Sequence, residues 1–190
     1  PDATTQELLT VARELDTEFI LQSTINSEKN RITTKLLNVE DGRNFWSKTI
    51  RESDVEGEGD FIDEATGLIA ALIAGHDGAI HRDILAKALV KKEEDLTPME
   101  LLQLGKATWE SQTEDVTVDG TRYLERCIKL NPDISTAYAI LSEVYLEDIR
   151  QGYNRIPDAM TKAKAAVKRA IELNPSNAIA LIEQIWISWY

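Results

Sequence analysis

Apolar residues at three- and four-residue spacing open the chain: Leu8, Val11, Ala12 and Leu15 fall on one helical face behind Thr4 and Glu7, whose spacing is that of a capping box. A first helix over roughly 5–15 is expected. The pattern then changes. EFILQSTI (18–25), RITTKLLNV (31–39) and NFWSKTI (44–50) are rich in β-branched and aromatic residues, with NSEKN and EDG between them. Asp41-Gly42 is a tight-turn signal, because glycine reaches positive φ without a Cβ clash. These three segments predict an antiparallel meander. Helical spacing returns with Phe61, Ala65, Leu68, Ile69, Leu72 and Ile73 up to Gly75. It resumes after Asp77, where Ile80, Ile84, Ala88 and Leu89 share one side. KKEED at 91–95 reads as a hinge, and from Leu96 onward the periodicity is helical only.

The helical part repeats itself. CIKLNP at 127–132 returns as AIELNP at 170–175, 43 residues later. A period of this size points to stacked helical hairpins, each of which buries a core only against its neighbours. The expected fold class is therefore α+β followed by all-α: a small three-stranded meander with flanking helices, then an α-α superhelix. The expected divisions are an α/β segment over 1–75, a linker helix and hinge over 76–96, and helical repeats over 97–190.

The second half resembles tetratricopeptide repeats. In the better-matched repeat Tyr138, Leu141, Ser142 and Tyr145 fill the first helix, and Ala163, Val167, Ala170 and Pro175 fill the second. The preceding repeat offers Leu101, Leu104 and Gly105, then Gly120, Leu124, Cys127 and Pro132, and a third first helix begins after Pro175. Gly105, Ser142, Ala163 and Ala170 would sit where two helices cross closely. The segments ESQTEDVTVD and LEDIRQGYNRIPDAM are longer than a standard repeat of about 34 residues permits. The first half is similar to a TolB-like α/β segment that precedes such repeats in bacterial proteins related to class III adenylate or guanylate cyclases and winged-helix transcriptional regulators. The residues that carry the likeness are AREL (12–15), FILQSTI (19–25), NRITTKLLNVEDG (30–42), FWSK (45–48) and DFIDEAT (60–66). Together the two resemblances imply a non-catalytic regulatory or protein-interaction region of a signalling protein, a cyclase above all. The alternative is a small-molecule-sensing domain. No cyclase catalytic residue maps onto this chain, and both ends are expected to be truncations.

Charge narrows the partners. Acidic residues outnumber basic ones 33 to 21, for a net charge of −12, which repels phosphate backbones and anionic headgroups. Neither nucleic acid nor membrane is an expected partner, and no apolar run approaches the roughly 20 residues of a membrane span. A single cysteine, Cys127, excludes an intrachain disulfide, suits a reducing, cytoplasmic setting, and reads as a core thiol.

Candidate chemistry is sparse. His76 and His81 lie about 140° apart on an ideal helix and do not converge on one metal ion. The acidic run from Glu52 to Glu64 reads as a solvated loop, and its EGEGD lacks the lysine and the preceding strand of a phosphate loop. No catalytic, cofactor-binding or metal residues are expected, and no cofactor. Lys162, Lys164, Lys168 and Arg169 form a basic face that is either solvated or open to an acidic partner. The resemblance implies a concave partner groove formed by the first helices, at Leu102, Lys106, Trp109, Ala139, Glu143, Leu146, Ile182, Trp186 and Trp189. Its poverty in cations argues against a clamp for C-terminal carboxylates. The alternative is that neighbouring helices cover many of these side chains. A protein or peptide is the expected partner, and a homodimer is possible.

Overall fold

A computed structural model describes residues 4–55, 59–75, 78–110 and 116–190. Glu56 and Glu58 of the acidic run, His76, Asp77 and half of ESQTEDVTVD therefore lie outside the described residues. The chain forms two compact units, Pro1–Asp83 and Ile84–Tyr190.

The first unit is α+β. Helix α1 (Thr5–Glu14) carries the expected capping box: the Thr4 side chain accepts from the Glu7 amide, and Glu7 reaches back to the Thr4 backbone. Strands β1 (Phe19–Asn26), β2 (Arg31–Asn38) and β3 (Asn44–Arg51) pair antiparallel in the order β1-β2-β3. The first connection is a single 3-10 turn capped by Asn26 and closed by left-handed Asn30. At the second connection the Asn38 carboxamide oxygen accepts from the Glu40 and Asp41 amides, while Gly42 takes φ of 69°. A register shift at Leu36/Leu37 leaves Phe45 as an extra residue in β3. Both Phe45 and Trp46 then pack on the core, Phe45 against Phe19 with ring centroids 5.6 Å apart.

Helix α2 (Phe61–Ala74) starts on an Asp60 cap and buries Ala65, Ile69 and Ile73, one stripe of four-residue steps. That stripe meets Ile32, Leu36 and Ile50 of the sheet. Leu9 and Ala12 are the buried residues of α1; Leu9 approaches Gly42, and the Arg13 guanidinium donates to the Val39 carbonyl at 3.2 Å. Helix α3 (Ala79–Ala88) contains the division between the units.

The second unit is all helical: α4 (Pro98–Glu110), α5 (Val116–Leu130), α6 (Ser135–Arg150), α7 (Ala159–Leu173) and α8 (Ala178–Ser188). Packing is between sequential partners: α4 with α5, α6 with α7, and α8 against both α6 and α7, while α6 also touches α4 and α5. The segment read as a hinge is tied into this unit. Lys91 pairs with nearly buried Glu100 at 2.7 Å, and Glu93 receives both Arg122 and Arg126.

Small residues set the helix crossings. A Cβ on Gly105 would lie 2.6 Å from Leu124 Cγ, and one on Gly120 would lie 3.3 Å from the Gly105 carbonyl, so α4 and α5 cross through this pair. The buried Ser142 hydroxyl donates to the Ala163 carbonyl at 3.1 Å, and Ser135 donates to the Ala170 carbonyl at 2.8 Å. Each bond satisfies a hydroxyl inside a close α6–α7 contact.

Candidate functional site

The repeated sequence folds twice into the same local structure. In CIKLNP the Asn131 amide bonds to the Cys127 carbonyl and its side chain accepts from the Asp133 amide; in AIELNP the Asn174 amide bonds to the Ala170 carbonyl and its side chain accepts from the Ser176 amide. Each turn closes one helix and launches the next. At the second turn Asn177 caps α8 through the Ala180 amide and also donates to Ser135, which locks the start of α8 to α6.

Eight of the nine groove positions lie on α4, α6 and α8, Trp189 is the C-cap residue of α8, and the nine divide by burial. Leu102, Ala139 and Leu146 are buried in the cores between helices and offer no surface. Trp109 is half-buried against the larger core, and Lys106 is nearly buried on α4. Glu143 is half-buried. Ile182, Trp186 and Trp189 are exposed, Trp186 at 46% and Trp189 at 81%. The most exposed part of the groove therefore lies at α8, and half-buried Glu143 of α6 and Trp109 of α4 are its partly open members.

Along α6, Glu143, Glu147 and Arg150 form a stripe at four- and three-residue spacing. Glu147 holds Arg150 through both Nε and Nη2 at 2.7 Å, and the Arg150 guanidinium lies over the Trp186 ring at 5.6 Å from its centre. Glu183 of α8 faces this stripe. It is 4% exposed, and its Oε2 has no hydrogen-bond partner. Burial, then the nearby Glu143 and Glu147 carboxylates, raise its pKa to about 7 against the pull of Arg150.

Sequence reasoning passed over Glu183, Glu147 and Arg150. The signal for Glu183 was present in the repeat. The 43-residue offset sets Glu183 opposite Ile140, a buried core residue of the preceding repeat, so a carboxyl stands in an apolar register.

The remaining candidates resolve into structural roles. Cys127 is fully buried on α5, and burial pushes its thiol up to about 11, which holds it as the unreactive neutral form. In the basic face on α7, Lys168 meets Glu172, Arg169 meets Asp133 and Glu172, and the Lys162 ammonium lies over the Tyr145 ring. The long α6–α7 segment is organised by buried Asp148, whose carboxylate accepts from the Arg155 and Ile156 amides. His81 lies on α3. Among the described residues no three His, Cys, Asp or Glu side chains converge as a metal site, and no helix is long and apolar enough to cross a membrane.

No protein-family model matches this chain, and no curated protein matches its sequence significantly.

Proposed function

We propose that residues 97–190 are tetratricopeptide-type repeats that serve as a non-catalytic protein-interaction module, part of the regulatory region of a bacterial signalling protein related to adenylate cyclases. The observation that carries this reading is the recurrence of one helix–turn–helix junction, with the same asparagine hydrogen bonds, at Asn131 and Asn174. It is supported by the contacts of α6 with both α4 and α8, an arrangement that brings the three first helices of successive repeats side by side. The partner is a protein or peptide segment that docks on the α6–α8 part of the groove, with Trp186 as its apolar anchor. Aromatic side chains of this exposure are favoured anchors because they bury much area at little entropic cost.

Selection of a random peptide library on the 190-residue chain tests the reading. The expected outcome is enrichment of peptides whose binding drops at least tenfold on Trp186→Ala, with melting unchanged. Failure to enrich any sequence, together with strong thermal stabilisation by a small metabolite, would favour the sensing alternative.

A further inference from the structure

We propose that β1 docks a second copy of this chain, paired antiparallel about a two-fold axis at Ser23, so that Leu21 of each protomer lies opposite Ile25 of the other. Among the described residues β1 is an outer strand, bonded to β2 alone. The orientation of its backbone follows from one hydrogen bond. The Val39 amide donates to the Glu18 carbonyl at 2.9 Å, one step beyond the ladder in the same register, so Ile20, Gln22 and Thr24 turn their N–H and C=O groups toward β2. Those of Leu21, Ser23 and Ile25 point the other way, to the open edge. Leu21, Ser23, Thr24 and Ile25 are all exposed, so the edge is open through its centre.

Symmetry and charge select the occupant. A strand that pairs with its own copy must offer the same side chains from both directions. Leu21 and Ile25, the two half-exposed aliphatic residues of β1, stand at equal distances on either side of Ser23, and all three share the sheet face of Ile32, Thr34 and Leu36. With Ser23 opposite Ser23, Leu21 of one chain exchanges backbone hydrogen bonds with Ile25 of the other, and the two side chains cover each other. From Phe19 to Asn26 the strand holds no charge, in a chain of net charge −12, whereas the other outer strand, β3, carries Lys48 and Arg51. A charged partner strand finds no counterpart on β1. A second β1 meets like charge only at the strand ends, where Glu18 precedes the strand and Glu28 follows it. The contact is small: a short ladder and two half-exposed aliphatic side chains bury less than the roughly 800 Å² per partner of a standard stable interface. The dimer therefore grows with protein concentration, and with salt, which screens the glutamates.

Disulfide trapping reads both the dimer and its register. Opposed residues that exchange hydrogen bonds in an antiparallel pair lie about 5.5 Å apart at Cα, within reach of a disulfide. The native Cys127 does not compete, since it is fully buried and its thiol is pushed up to about 11. Leu21→Cys and Ile25→Cys, both at exposed positions, are made in the whole chain and oxidised mildly, each alone and the two mixed. The expected result is a cross-linked species in the mixture that joins one chain of each kind, at least about tenfold more abundant than the cross-link from either variant alone. Its yield should rise with protein concentration and with salt, while both variants melt like the wild type. Equal cross-linking in the separate and mixed samples would overturn the Ser23-centred register. Absence of a cross-link at every concentration, with light scattering at the mass of one chain, would remove the dimer altogether.

Discussion

Glu183 is the residue at which local chemistry and fold disagree. Its pKa is raised from the ordinary 4.5 to about 7, so the folded chain holds a proton that the unfolded chain releases between those values. The unfolded state binds fewer protons in that window, and the contribution of Glu183 to stability therefore falls as pH rises from about 4.5 to 7, then stays constant. The Glu183→Gln chain should melt like the wild type at pH 4 and be more stable at pH 8, with an upper limit of about 3 kcal/mol set by the shift from 4.5 to about 7. Thermal melts of the two chains across this range check the sign; a variant less stable at pH 8 would mean that the ionised carboxylate is well solvated. Glu100, equally hidden, behaves in the opposite way. Burial raises its pKa, but the Lys91 ammonium and the Thr97 amide and hydroxyl outweigh it and hold the carboxyl below its usual range. One buried glutamate is partnered and the other is not.

At the level of elements, the helical unit rests on close crossings and a few large buried side chains. Leu141 is buried in the main core and Tyr138 packs on the smaller cluster shared by α6, α7 and α8. Leu141→Ala should cost roughly 2–5 kcal/mol, and Tyr138→Ala should also unfold the helical unit before the sheet. Hydrogen exchange resolves the order, since amides of α6–α8 should lose protection while those of β2 keep it. At Gly105 the constraint is space. A methyl there would meet Leu124 and force α4 off α5, so Gly105→Ala should destabilise by about 1–3 kcal/mol despite alanine's better helix propensity. A gain in stability would show that the two helices can slide apart freely.

At the scale of the whole molecule, self-association through the sheet is an expectation that follows from its edges. Both β1 and β3 are edges. Lys48 and Arg51 guard β3, whereas β1 holds no charged residue, and its Leu21 and Ile25 are 51% and 52% exposed on the same sheet face as Leu36 and Ile32. Two β1 strands paired about a two-fold axis would join the sheets and cover those side chains, against a screened repulsion from the net charge of −12. A homodimer at high protein concentration is the expected outcome, and Thr24→Lys should return it to one chain. Light scattering that gives the mass of one chain at every concentration would count against the strand-paired dimer.

Local order was legible in the sequence because its causes are local. The capping box at Thr4 and Glu7, the three strands, the Asp41-Gly42 turn and the repeated Asn-Pro junctions all depend on residues within a few positions of one another. Periodicity also showed which side of α6 and α8 is apolar. It could not show what covers that side: Leu102, Ala139 and Leu146 share the spacing of Trp186 and Trp189, yet the first three are sealed by neighbouring helices and the last two are open. The Phe45 bulge, the commitment of Arg150 to Glu147 and Trp186, and the burial of Glu183 were likewise decided in three dimensions. Each depends on the distance between elements far apart in the chain, and that distance is set by packing rather than by any local preference.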